Sequence, residues 1–183
     1  MKKPLESKSI ILGIGGGIAA YKCCELARML TKAGADVHCI LTKAGAEFVT
    51  PLTLQALTGN PVHTEMFSLI QEKEIGHISL ADRASAVIVA PATADLIAKV
   101  ACGICDELLF TVICATRAPV VFAPSMNVHM WENSIVQENV ARLKKFGYHV
   151  MEPESGDLAC GYEGKGRLPE LDVIVKTIES SIK

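Results

Sequence analysis

The chain has 183 residues, half of them hydrophobic, and a formal net charge of −2 at pH 7. This length suits one domain with its own core, and the near-neutral charge offers no basic surface for nucleic acid or an anionic membrane. No run approaches the roughly 18 consecutive apolar residues of a membrane-spanning helix, and no apolar signal core follows the basic start. We therefore expect a cytoplasmic subunit that buries apolar surface in an oligomer.

Apolar runs alternate with helical stretches, which predicts an α/β fold: a three-layer, doubly wound parallel sheet, flavodoxin-like or Rossmann-like, in one domain over residues 1–183. Asp106 is expected to cap the helix that follows it. The glycine-rich run 157–170 is predicted to be a mobile loop without regular structure, because each glycine would weaken a helix or strand. The predicted strands are 9–15, 35–42, 86–93, 118–126 and 148–152. The predicted helices are 17–34, one containing Phe48 and Leu54 that Pro51 either starts or kinks, 94–104, 106–116, 133–147 and 169–183.

Seven cysteines without an export signal indicate reduced thiols. Cys102 and Cys105 form a CxxC pair, but one pair without a second pair or a histidine cluster is weak evidence for a metal, so we expect them to pack and predict no metal site. Cys160 lies in a polar, glycine-rich setting where a thiol can react. The cysteines in apolar runs fit small buried hydrophobes: Cys23, Cys24, Cys39 and Cys114.

Four polar loops follow the predicted strands at the carboxyl edge of the sheet, where doubly wound folds bind ligands. The first contains Gly15, Gly16 and Gly17 between a strand and a helix, an arrangement that attracts phosphate; a tight structural turn is the alternative. The dinucleotide-binding fingerprint requires glycine or alanine at position 18, but this chain has Ile18. The second strand ends in Thr42-Lys43, whereas a dinucleotide site has an acidic residue at that place. This pattern favours a mononucleotide such as FMN over NAD.

Side chains in the later loops suit ligand contacts. Thr93 and Asp95 can contact a ring or a sugar, or cap the following helix. Asn127 can hold a carboxylate or a carbonyl. His77 follows a glycine and is expected to be presented from a loop at the sheet edge.

Five motifs together resemble the flavin-containing cysteine decarboxylases, in order and over nearly the whole chain. The resemblance implies a flavodoxin-like fold, bound FMN, and homotrimers that can assemble into dodecamers with the flavin at subunit interfaces. The motifs are GGGIAAYK (15–22), GHISLA (76–81), APATADLIAK (90–99), APSMNVHMW (123–131) and ACGYEGKGR (159–167).

The resemblance also implies roles for single residues. His77 matches the active-site histidine, Asn127 matches the asparagine that holds the substrate carboxylate, and Cys160 matches the catalytic cysteine of a flexible substrate flap over about 153–168. Gly15 stands where relatives often carry Ser or Thr, so backbone donors must do more of the phosphate binding. The implied flavin contacts are Gly15, Gly16, Gly17, Thr42, Ala92, Thr93, Ala94 and Asp95, and the implied substrate contacts are Asn127, Met130, Ala159, Gly161, Lys165 and Arg167.

The implied activity is FMN-dependent decarboxylation of 4'-phosphopantothenoylcysteine to 4'-phosphopantetheine and CO2 in coenzyme A biosynthesis, through a thioaldehyde and an enethiolate with no net redox change. His77 would assist proton movement near the thiol, and Cys160 would protonate the enethiolate. Two alternatives stay open. An oxidative decarboxylase of a peptide C-terminal cysteine has no need for Cys160. A non-catalytic flavin-binding subunit would need neither His77 nor Cys160.

Overall fold

Five parallel strands form the central sheet of the computed structural model, which describes residues 3–67, 76–157 and 161–182. Their order is β2-β1-β3-β4-β5, and every pairing is parallel. Strand order therefore reverses between β1 and β3, which confirms the predicted doubly wound sheet. The strands are β1 (Ser9–Ile14), β2 (Asp36–Leu41), β3 (Ala86–Ala92), β4 (Val120–Pro124) and β5 (His149–Val150).

Eight helices in the described ranges surround the sheet. They are α1 (Ala20–Lys32), α2 (Pro51–Thr58), α3 (Gly76–Arg83), α4 (Ala94–Ala101), α5 (Leu108–Ala115), α6 (Val128–Glu132), α7 (Ser134–Lys145) and α8 (Leu171–Ser181). No described helix combines the length and the apolar character that crossing a bilayer requires.

The core has two halves because successive strand residues point to opposite faces. Ile10 and Leu12 of β1 pack with buried residues of α1 and α8, whereas Ile11 packs with buried residues of α3, α4, α5 and α7. β1 and β3 are buried almost throughout. Helices on both faces are thus the reason why these strands read as continuous apolar runs.

Several helix boundaries differ from the sequence expectations. Phe48 lies outside α2, which begins at Pro51 with the Thr50 side chain as its cap, so the prediction of one helix containing Phe48 and Leu54 is wrong. Asp106 does not cap α5: the N-cap position is Glu107, with no side-chain cap hydrogen bond. Asp106 instead pairs with Lys99 of α4, Nζ to Oδ2, at 3.1 Å.

The glycine-rich segment near the C-terminus contains a hairpin, contrary to the predicted loop. Its strands, β6 (Glu154–Asp157) and β7 (Glu163–Arg167), pair antiparallel. Glycine is required at position 166 of β7 because the backbone there lies against Met126. A Cβ at this position would overlap the Met126 carbonyl oxygen. Ala159 and Cys160 lie outside the described residues.

The cysteines divide by burial. Cys23 and Cys39 are buried and Cys24 is half-buried, as expected of small hydrophobes, but the packing expected of the other three is wrong, since Cys102, Cys105 and Cys114 are exposed. Within the described ranges, no group of three or more His, Cys, Asp or Glu side chains is arranged to hold a metal ion.

Candidate functional site

The carboxyl edge of the sheet brings the predicted polar loops together. A Cβ at Gly17 would lie 3.7 Å from side-chain carbons of both Pro91 and Thr93, so the loop after β1 contacts the end of β3. The Ser125 N–H, after β4, donates to the Ala92 carbonyl at 3.1 Å. The loops after β1, β3 and β4 therefore form one continuous surface.

A cavity of about 330 Å³ opens between these loops. Phe110 of α5 and Glu107 also line it. The sequence reasoning missed both, because nothing local to α5 indicates that it borders the loop after β2. The predicted ligand contacts that line this cavity are Gly16, Thr42, Thr93, Ala94, Asp95 and Met130.

The loop after β1 has unused backbone donors. The N–H groups of Gly16 and Ile18 donate to no acceptor in the described part of the chain. α1 follows with no acidic residue in its first turn and no side-chain cap at Ala19. Free N–H groups and an uncapped helix N-terminus favour an anion, so these residues fit the phosphate of a mononucleotide.

Gly15 is buried where no side chain can stand. A Cβ would overlap both the Pro91 carbonyl oxygen and the Leu96 side chain. A hydroxyl-bearing side chain therefore has no room at this position, and backbone N–H groups are the donors that remain.

Thr42 is buried, and its hydroxyl has structural partners. It donates to the Ile14 carbonyl at 3.0 Å and accepts from the Gly45 N–H at 3.0 Å. A hydroxyl has one proton to donate, so this one cannot donate to a phosphate while it holds Ile14. Thr42 therefore joins β1 to the loop after β2 and shapes the cavity wall.

Thr93 caps α4 and keeps a free donor. Its Oγ1 accepts from the Leu96 N–H at 3.3 Å, and no acceptor in the described part of the chain receives its hydroxyl proton. Capping and ligand contact are therefore compatible at this residue.

Lys99 connects two carboxylates beside the cavity. Its Nζ lies 3.4 Å from Asp95 Oδ2 and 5.1 Å from the centroid of the Phe110 ring. The hydrogen bond to Asp106, opposed by slight burial and aided by Asp95, raises the pKa of Lys99 above its usual range. This cation orients Asp95 and Phe110, both of which line the cavity.

Of the catalytic residues implied by the resemblance, the two that the structure describes, His77 and Asn127, do not line this cavity. His77 is the second residue of α3 and half-buried, not presented from a loop as expected. Asn127 caps α6, and its Oδ1 accepts from the His129 N–H at 2.8 Å. Neither side chain is among those that line the 330 Å³ cavity.

The hairpin's two basic residues have different surroundings. Lys165 Nζ lies 2.6 Å from Glu152 Oε2, and Lys144 of α7 contacts the other Glu152 oxygen at 3.0 Å. The hydrogen bond from Lys165, and then that from Lys144, lowers the pKa of Glu152 despite its partial burial. Arg167 instead faces a second cavity, and Gly161 is exposed.

Comparisons with known proteins identify the family of the chain. The Flavoprotein family matches residues 1–183. The chain is 43% identical over 178 residues to the probable phosphopantothenoylcysteine decarboxylase of Streptococcus mutans, covering 96% of this chain and 99% of that protein. It is 48% identical over 166 residues to the coenzyme A biosynthesis bifunctional protein CoaBC of Vibrio vulnificus (strain YJ016), covering 91% of this chain but only 41% of that protein.

A solved structure has a similar fold. It is a Cys-to-Ser variant of a PPC decarboxylase complexed with pantothenoylaminoethenethiol, with a TM-score of 0.84 and 28% identity, covering 94% of this chain and 97% of that one. The resemblance read from the motifs is confirmed, and the chain belongs to the Flavoprotein family.

Proposed function

We propose that this chain is an FMN-dependent carboxy-lyase that converts 4'-phosphopantothenoylcysteine to 4'-phosphopantetheine and CO2 in coenzyme A biosynthesis, in the cytoplasm. The observation that carries this proposal is the end-to-end match to the Streptococcus mutans protein, which leaves almost none of that protein uncovered. The bifunctional relative is spanned only over 41% of its length, so the proposal concerns the decarboxylation alone.

The cavity and the loop after β1 together offer groups that suit an FMN. The N–H groups of Gly16 and Ile18 would hold the phosphate, and the free Thr93 hydroxyl proton would be donated to the ring or the ribityl chain. Phe110 and Met130 would supply apolar wall for the ring. When bound, the flavin would accept and return two electrons, and this temporary oxidation beside the sulfur provides the electron sink that loss of CO2 needs.

The chain's own residues would control orientation and protons. Asn127 would orient the substrate carboxylate, and His77 would move a proton at the substrate thiol. Cys160, carried by the β6–β7 hairpin, would protonate the carbon from which CO2 has departed. A flap that closes over the site would also exclude water during this step.

A homotrimer would complete the site. His77 is not among the described residues that line the 330 Å³ cavity of the single chain, which supports catalysis at a subunit interface. Large apolar side chains near the site are also exposed, including Ile18 (58%), Met130 (47%) and Tyr162 (51%). Assembly of trimers into a dodecamer is a further part of the proposal. Light scattering on the purified protein tests both, and a stable monomer would contradict them.

Product mass tests the activity. The purified protein, reconstituted with FMN, is incubated with 4'-phosphopantothenoylcysteine. Loss of CO2 alone supports the proposal, and loss of CO2 with two further hydrogens indicates the oxidative alternative. Bound flavin with unchanged substrate indicates a non-catalytic subunit. Cys160→Ser should accumulate the product that lacks two hydrogens, whereas His77→Asn should release no CO2 and keep its flavin.

A further inference from the structure

A second cavity, of about 360 Å³, lies between α1 and the β6–β7 hairpin. It is separate from the 330 Å³ cavity but adjacent to it, because Gly16 lines one and Ile18 lines the other. The residues of interest in its lining are Ile18, Lys22, Ser125, Asp157 and Arg167.

Two cations face this cavity, and no described residue is their anionic partner. Lys22 and Arg167 are both half-buried, and neither forms an ion pair or a side-chain hydrogen bond within the described ranges. Partial burial of a charge is unfavourable unless a counter-charge compensates it. Lys165, the other basic residue of β7, has such a partner in Glu152. Lack of an anionic partner among the described residues is therefore a property of the cations that line this cavity, not of every basic residue in the hairpin.

The guanidinium of Arg167 packs against the backbone of the hairpin. Arg167 lies across Gly156, where an added Cβ would be 2.7 Å from Nη1. A guanidinium held in this way presents its N–H groups to a phosphate with little further ordering. The half-buried Ser125 hydroxyl adds a donor that has no partner in the described part of the chain.

Asp157 also lines the cavity, and its carboxylate opposes a bound anion. The residue is exposed, so water weakens this repulsion more than it weakens attraction to the half-buried cations. The balance in the cavity favours an anion.

We propose that this cavity binds the phosphate monoester end of the substrate, with Lys22, Arg167 and Ser125 as specificity-determining residues. The inference rests on the proposed function, since it places the thiol end beside the flavin cavity and the phosphate end in the adjacent one. It divides the basic residues of β7 between two tasks: Arg167 recognises phosphate, and Lys165 fixes the hairpin to Glu152.

Kinetics with a matched pair of substrates test the proposal. The FMN-loaded wild type, Lys22→Gln, Arg167→Gln and the control Lys165→Gln are compared on 4'-phosphopantothenoylcysteine and on pantothenoylcysteine. We expect Lys22→Gln and Arg167→Gln to raise KM about ten-fold or more for the phosphorylated substrate only, as for the loss of one charged hydrogen bond. Lys165→Gln should keep the wild-type preference. Equal KM values for both substrates in the wild type would overturn the inference.

Binding without turnover separates this inference from the proposed function. Calorimetric titration with 4'-phosphopantetheine and pantetheine should show a preference for the phosphorylated ligand that Lys22→Gln and Arg167→Gln abolish and Asp157→Asn strengthens. If the protein turns over neither substrate but shows this preference, the cavity stands and the proposed reaction fails. Flavin content is measured for every variant, and loss of flavin from Lys22→Gln would assign that residue to the cofactor and overturn its proposed role.

Discussion

Gly166 of β7 lies directly against Met126, the residue before Asn127. The Met126 N–H donates to the Gly166 carbonyl at 2.9 Å, and a Cβ at Gly166 would overlap the Met126 carbonyl oxygen. β7, which follows Cys160 in the sequence, is thus bonded by its backbone to the loop that contains Asn127.

Gly166→Ala should therefore separate the hairpin from this loop. Overlap with backbone cannot be relieved by a rotamer change, and we expect the free energy of unfolding to fall by about 1–3 kcal/mol. Denaturant unfolding measures this loss, and limited proteolysis should cut the segment 153–168 faster than in the wild type.

Gly161→Ala is the matched control within the same segment. Gly161 has φ +83 but nothing within 4 Å of an added Cβ, so this change introduces backbone strain without a collision. Proteolysis of β7 should remain at the wild-type rate. Equal exposure of β7 in the two variants would mean that the Gly166–Met126 contact does not fix the hairpin.

The ion pairs of Glu152 predict a pH dependence for the hairpin. Hydrogen bonds from Lys165 and Lys144 lower the pKa of Glu152 in the folded protein. The anchor is fully present above the ordinary glutamate pKa of about 4.3, and it is lost as pH falls through the lower folded value. Its effect on global stability should stay below about 1 kcal/mol, because the pair is largely exposed.

Hydrogen exchange of the β7 amides measures this anchor locally. Corrected for intrinsic rates, protection in the wild type should exceed that in Glu152→Gln at pH 7, and the two should converge below about pH 4. Lys144→Gln is the control, since it leaves the Lys165–Glu152 contact in place and should lose less protection. A difference that persists unchanged into acid would rule out the carboxylate as its source.

Local patterns were sufficient for the sheet, and long-range contacts account for what they missed. The alternation of apolar runs and helices predicted β1 to β5 because parallel strands buried on both faces read as continuous apolar segments. The glycines of β7 predicted a loop, because their compatibility with a strand depends on distant residues: Gly166 needs Met126, and Gly164 lies against Val128.

At the candidate site, too, local patterns predicted some residues, whereas the roles of others depend on long-range contacts. The glycine loop and Thr93 were predicted from their places after strands, and Gly16 and Thr93 line the 330 Å³ cavity. The structural role of Thr42 depends on its partner Ile14 across the β1–β2 register, and the place of Lys22 beside Arg167 depends on how the hairpin folds back onto α1. No local sequence pattern indicates either relationship.

Gly16 and Gly17, which are neighbours in the loop after β1, should respond differently to substitution by alanine. A Cβ at Gly16 would overlap the Ala44 Cβ and lie 2.8 Å from the Ala44 carbonyl carbon, whereas one at Gly17 would make ordinary contacts at 3.7 Å. Gly16→Ala should destabilise the flavin-free protein by about 1–3 kcal/mol. Gly17→Ala should change it by less than about 1 kcal/mol.

Titration with FMN, followed by flavin fluorescence, extends this comparison to the cofactor. Gly16→Ala should bind FMN weakly because its loop is displaced, and Gly17→Ala should stay close to the wild type. Equal damage from both substitutions would show that the loop tolerates no side chain at all, for a reason other than the Ala44 contact.

Thr42 provides a test of whether a residue in the cavity wall serves the fold or the ligand. Thr42→Val keeps the shape but leaves the Ile14 carbonyl and the Gly45 N–H without their hydroxyl partner, which should lower the free energy of unfolding of the flavin-free protein by about 1–3 kcal/mol. Thr42→Ser retains the hydroxyl and should lose much less. If the hydroxyl acted only on the flavin phosphate, Thr42→Val would unfold like the wild type without FMN and differ from it only in FMN affinity. Denaturant unfolding of the three proteins, each with and without FMN, distinguishes these outcomes.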